Sequence, residues 1–141
     1  MTAREYLSQL KDMAKRLWVL HEAIERKRAR LESTTVPLKP DRVQTSGSGD
    51  SMADGVADLA DHELEYEDLL WRYDQKMEEM TLRIAQLDNG IYAQLLYLLY
   101  VEGRSREDIG TIMYYSPGYV SALHAKALAA FEEKYPDILN M

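Results

Sequence analysis

The chain has 141 residues, no cysteine and a formal net charge of −7 at pH 7. That length suits one or two small units, and the absence of thiols excludes disulfides and thiolate metal sites and fits a reducing compartment. The acidic balance argues against strong nonspecific binding to nucleic acid, no apolar run reaches 18 residues, and the charge-studded opening MTAREYLSQLKDMAKRL lacks a signal-peptide core, so no membrane partner and a cytoplasmic location are expected.

Residues 3–32 hold a helical pattern without Gly or Pro. Ala3, Leu10, Leu17, Ile24 and Leu31 recur every seven residues, and Tyr6, Met13 and Leu20 follow three later, with Lys27 breaking that second row. This is a heptad seam, the mark of a coiled coil or a packed long helix of about 45 Å. A helix of that length needs a partner to bury its seam. Residues 34–50, TTVPLKPDRVQTSGSGD, read as a disordered linker, because Pro37 and Pro40 block helix and SGSG is flexible. The SGSGDS run lacks both the Lys-Ser/Thr and the upstream strand of a phosphate-binding loop.

Helix resumes over 51–88, with Ser51 as the expected N-cap. Val56, Leu59, Glu63, Tyr66, Leu70, Tyr73, Met77, Met80, Ile84 and Leu87 alternate steps of three and four, and Glu63 alone breaks this seam. A polar seam residue either fixes the register or lies where the pairing frays. Gly55 suggests a frayed first turn, and Asn89-Gly90 ends the helix. Residues 1–32 carry eight Lys/Arg against five Asp/Glu, whereas 51–90 carry three against eleven. An antiparallel hairpin would therefore set Arg26, Lys27, Arg28 and Arg30 near Asp54, Asp58 and Asp61.

Residues 91–101, IYAQLLYLLYV, form the next helix, apolar on more than one face. Gly103 ends it in a left-handed conformation. Ser105 caps a short helix, Arg106 to Met113, that turns Ile109, Ile112 and Met113 to one side. Tyr114-Tyr115-Ser116 makes a second break, and Ser116 and Pro117 start a last helix with Val120, Leu123, Ala127 and Leu128 inward. Two short helices, a tight turn and the small Gly110 at their crossing describe a helix-turn-helix.

The run VEGRSREDIGTIMYYSPGYVSALHAKAL resembles region 4 of the bacterial sigma factors, through Gly103, Ser105, Asp108, Ile109, Gly110, Met113, Ser116, Val120, Lys126, Ala127 and Leu128. The Leu123-His124 pair and the long helical N-terminal half look more like short phage-encoded proteins with a sigma-like C-terminus, the ArpU-like and RinA-like regulators. The resemblance implies DNA-binding transcriptional regulation, with double-stranded DNA and RNA polymerase as partners. Two positions depart from the pattern: Tyr114 stands where Gly is usual, and Lys126 is the only basic residue of the recognition helix before Lys134. A non-Gly residue in left-handed conformation costs roughly 1–2 kcal/mol, so a reshaped turn is expected.

On that reading the outward residues of the recognition helix are Pro117, Gly118, Tyr119, Ser121, Ala122, Ala125 and Lys126. Ser116, Tyr119 and Ser121 offer hydroxyls to phosphates or base edges, and Ala122 and Ala125 suit thymine methyls. Arg104 and Arg106 sit where phosphate contacts usually start. His21, His62 and His124 share no metal-ligand spacing, and the acidic run DHELEYED falls all around a helix. No catalytic motif is present, so neither an enzyme nor a cofactor is expected.

The expected fold is all-α: a long antiparallel, coiled-coil-like hairpin over 1–90, a three-helix helix-turn-helix unit over 91–135 and a tail, 136–141. A homodimer through the hairpin is compatible with it. The alternative function is an acidic coiled-coil module that docks on RNA polymerase or another phage protein without touching DNA.

Overall fold

The computed structural model describes residues 1–34 and 46–140. Every regular element among them is helical. They are α1 (Ala3–Leu7), α2 (Gln9–Thr34), α3 (Ser46–Ala85), α4 (Gly90–Leu96), α5 (Arg106–Met113), α6 (Pro117–Lys134) and α7 (Pro136–Leu139). A π-helical turn, Tyr97–Val101, continues α4. Among the described residues no helix is long and apolar enough to cross a membrane.

Element ends differ from expectation in four places. The first helix breaks at Ser8, whose φ and ψ of −76° and −7° close a short turn. Its N–H returns to the Arg4 carbonyl at 2.9 Å, and its own carbonyl accepts from Asp12 N–H at 3.2 Å, so hydrogen bonds run on through the break. The third helix starts at Ser46, ahead of the expected cap at Ser51, and carries Gly55 inside it. Residues 35–45, the body of the expected linker, lie outside the described residues. That helix ends at Ala85, and Asn89 instead caps α4, its side-chain oxygen accepting from Ile91 N–H at 2.9 Å. Finally, 136–141 is more than a tail, because α7 forms and Leu139 is buried.

The chain divides into two compact units. The first joins Met1–Ala14 to Tyr73–Met141, and the second is Lys15–Arg72. Both boundaries cut the long helices, where the sequence placed one boundary at residue 90. The reason is visible in the first unit, where the N-terminal seam residues Ala3, Tyr6, Leu7 and Leu10 share a core with Met80, Ile84, Leu95, Ile109, Val120 and Phe131. The ends of the seams are absorbed by the helix-turn-helix.

Tyr6 is the hub of that attachment. Its ring stacks on Phe131 with centroids 5.7 Å apart. Its hydroxyl donates to Glu79 at 2.8 Å and accepts from Arg83, which also pairs with Glu79. Burial and the Glu79 carboxylate push the phenol up to about 12, so it stays protonated. At the chain start, the Met1 ammonium donates to the Leu139 carbonyl at 3.0 Å and Ala3 N–H donates to Glu132 at 3.1 Å. Tyr135 closes the other side by donating to the Arg83 carbonyl at 2.6 Å.

The second unit is the hairpin proper. Lys27 pairs with Asp58 at 3.0 Å and Arg28 with Glu63 at 3.1 Å, and the His21 and Tyr66 rings lie 6.1 Å apart. Glu63 thus breaks the apolar seam to meet a cation across it. Leu17 and Ile24 are buried, but Val56 and Leu70, expected in the seam, are exposed. Two helices can cover only one strip of each other.

Candidate nucleic-acid interface

The helix-turn-helix is built from local signals that each do one thing. Gly103, at φ +68°, ends the π-helical turn, and Arg104 N–H returns to the Leu98 carbonyl at 2.9 Å. The Ser105 hydroxyl then caps α5 by accepting from Asp108 N–H at 3.1 Å. Ile109 and Gly110 are the buried residues of α5. Gly110 packs so tightly that a Cβ there would lie 2.5 Å from the Tyr115 carbonyl oxygen. The same turn is closed by Tyr115 N–H donating to the Gly110 carbonyl at 2.8 Å.

The turn itself is not reshaped. Tyr114 takes the left-handed conformation that glycine would take, with φ 63° and ψ 42°. Its side chain is 92% exposed, so no packing offsets the backbone cost. Ser116 then caps α6 by accepting from Tyr119 N–H at 3.2 Å, and Pro117 occupies the first turn. Val120, Leu123, Ala127 and Phe131 of α6 are buried.

The outer face of α6 follows from that burial. Ser116, Pro117, Gly118, Tyr119, Ala122, Ala125 and Lys126 are all exposed. Tyr119 packs edge-on against Tyr115 at 4.8 Å, which holds its ring at the start of the helix. Ser121 differs from the rest. It is half-buried, donates to the Pro117 carbonyl at 3.2 Å and accepts from Arg106 at 2.9 Å. It therefore positions Arg106 beside α6. Arg104 is exposed but donates to Glu102 at 3.0 Å, so a carboxylate already competes for its guanidinium.

Sequence reasoning missed two cations. Lys11 lies with its ammonium 5.7 Å from the Tyr100 ring centroid. Tyr100 comes from the π-helical turn and shares a 2.6 Å hydrogen bond with His124 of α6, both buried. Burial pushes His124 down to about 4, and the nearby charges of Arg106, Arg4 and Lys11 push it the same way. Burial raises Tyr100, against the pull of Arg4 and Arg106. Three cations from two parts of the chain thus act on a neutral histidine of α6. Arg4 and Lys11 are seven apart, one place after the seam residues Ala3 and Leu10. That spacing marks one flank of a helix, but not that α6 lies beside it.

The exposed hydroxyls and small residues at the start of α6, with Arg106 held beside Ser121, suit phosphate oxygens and a groove. His21 and His62 belong to the hairpin, and among the described residues no cluster of three or more His, Asp or Glu could hold a metal ion. Comparison of the chain with protein-family models, curated proteins and solved structures finds no match.

Proposed function

We propose that this chain is a DNA-binding transcriptional regulator, of phage genes, that reads double-stranded DNA through α5 and α6 and performs no catalysis. The observation that carries the reading is the capped, exposed start of α6, where Tyr119 and Ala122 project while Ser121 holds Arg106 alongside. In a helix-turn-helix that end of the second helix enters the major groove. Arg106, Lys126 and, from the N-terminal helices, Arg4 and Lys11 serve as phosphate contacts. The resemblance to sigma region 4 supports the same reading. So few cations per copy favour binding as a homodimer or beside RNA polymerase in the cytoplasm of a bacterial host. The test is selection of bound fragments from genomic DNA with the full chain. A recovered common sequence supports the reading, and a pool with no preference opposes it.

A second reading has its own support. The net charge is −7, Arg104 is tied to Glu102, and Tyr114 exposes an apolar ring next to the turn. These suit a protein-docking module, for RNA polymerase or another phage protein, in which the helix-turn-helix only packs. Retention of RNA polymerase by a chain that selects no DNA sequence favours this reading.

A further inference from the structure

In the hairpin unit α3 carries a second row of residues, on the side turned away from α2. The side facing α2 is marked by the half-buried Met52, Gly55, Leu59, His62, Tyr66 and Leu69. Gly55 lies so close to α2 that a Cβ there would sit 2.9 Å from Leu31, and Tyr66 meets His21. Ala53, Ala57, Ala60, Leu64, Glu67 and Trp71 keep the same alternation of three and four residues, about 155° further round the helix. All six are exposed, Leu64 and Trp71 each at 63%. Glu67 alone interrupts an apolar line about 27 Å long. A single exposed Leu or Trp needs no explanation, but five apolar residues at heptad spacing repeat the pattern by which α3 already packs on α2.

We infer that this row of α3 is a docking surface for an amphipathic helix of a partner protein, one with an apolar row flanked by Lys or Arg. Charge selects that occupant. Between Met52 and Arg72 seven Asp/Glu stand against one Arg. Asp58, Glu63 and Asp68 are matched by Lys27, Arg28 and Arg72. Asp54, Asp61, Glu65 and Glu67 have no ion-pair partner among the described residues. Asp54, Asp61 and Asp68, at steps of seven, border the row where a paired helix would bring its own flanking charges. A second copy of the chain does not fit. Its own α3 row would set carboxylate against carboxylate. The outward residues of its α2, Lys15, Trp18, Glu22, Glu25 and Ala29, hold three charges in five positions. They lie on the opposite side of the hairpin, so joining them to the α3 row would string copies into an open chain and not close a pair. The acidic border likewise repels phosphate, whether of nucleic acid or of lipid.

This surface lies outside the helix-turn-helix and its test contains no DNA, so it can fail while the DNA-binding reading stands. The probe is a synthetic three-heptad peptide with Leu at both core positions and Lys at the flanking ones, which keep it from pairing with itself. A control peptide has Glu in place of Lys. The chain has two tryptophans, so Trp18→Phe leaves Trp71 as the sole indole and Trp71→Phe leaves Trp18. On the full chain the Lys peptide should move Trp71 emission to shorter wavelength and leave Trp18 emission where it was. Calorimetry should show the Lys peptide binding about ten-fold or more tightly than the Glu peptide. Leu64→Gln should weaken the Lys peptide by about ten-fold, with an unchanged helical spectrum because Leu64 is exposed. An unmoved Trp71, an equal shift of Trp18, equal affinity for the two peptides or full affinity in Leu64→Gln overturns the inference. So does a mass of twice the 16.3 kDa chain that Leu64→Gln returns to a single chain, since a second copy would then be the occupant.

Discussion

Gly110 and Tyr115 are locked together backbone to backbone: the Tyr115 N–H donates to the Gly110 carbonyl at 2.8 Å, and a Cβ on Gly110 would sit 2.5 Å from the Tyr115 carbonyl oxygen. In an open helix, Gly→Ala gains about 1 kcal/mol from helix propensity. Here the neighbour is main chain and cannot rotate away. Gly110→Ala should therefore destabilise the protein by about 1–3 kcal/mol, the cost of overpacking, and lower the melting temperature by several degrees. A variant that melts at or above the unaltered protein contradicts the close crossing of α5 and α6.

Tyr114 makes the opposite prediction. It is a non-glycine residue at φ 63° whose ring is 92% exposed. Tyr114→Gly should remove a left-handed cost of roughly 1 kcal/mol and lose little contact. The variant should resist urea better than the unaltered chain. If it is weaker instead, the ring contributes packing that its exposure does not reveal. If it is stronger but loses partner binding, the strained residue is kept for function.

His124 should make stability depend on pH. Its folded-state pKa is pushed down to about 4, by burial first and by Arg106, Arg4 and Lys11 after it, against about 6.5 in an unfolded chain. Between those values the unfolded state binds the extra proton, so stability rises with pH. The contribution is complete above about pH 6.5 and is lost as the pH falls towards 4, on the order of 3 kcal/mol in all. Urea melts of the unaltered protein and His124→Gln at pH 7 and pH 5 check this. The difference between the two pH values should shrink in the variant, which will itself be weaker at pH 7 because Tyr100 loses its partner.

The local parts of the helix-turn-helix were legible in the sequence because each rests on a residue with one dominant local effect. Gly103 stops a helix, Ser105 and Ser116 start helices, and Pro117 fits a first turn. Tyr114 was legible as an anomaly but its outcome was not. The backbone bond to Gly110 outweighs the side-chain penalty, so the turn keeps its shape. The two seams were legible as heptads, yet periodicity does not name the partner. Ala3, Tyr6 and Leu10 continue the seam of Leu17 and Ile24 but pack into the helix-turn-helix core. For the same reason Arg4 and Lys11 read as ordinary surface charges until α1 and α2 are set beside Tyr100 and α6. The π-helical turn at Tyr97–Val101 leaves no mark in a run of Leu and Tyr that suits an ordinary helix equally well.

Tyr119 is the residue through which the proposed groove contact is read. It is exposed at the start of α6 and steadied by Tyr115. Tyr119→Ala should weaken binding to a selected site by about ten-fold or more and leave binding to random DNA nearly unchanged, since it removes a base-proximal contact. Equal losses on both DNAs would make Tyr119 a phosphate contact instead.

The proposed DNA-binding face is tested most directly by the salt dependence of binding. Arg4, Lys11, Arg106 and Lys126 allow about four neutralised phosphates per copy. Log Kobs should then fall against log salt with a slope of about −4 for one copy and about −7 for two. Arg4→Gln with Lys11→Gln should flatten that slope by roughly two units per copy and reduce affinity alike for selected and random DNA. Both side chains are exposed, so the helical spectrum should not change. A slope that stays the same in the double variant removes Arg4 and Lys11 from the face. An unaltered protein that binds no DNA even at low salt contradicts the DNA-binding function itself.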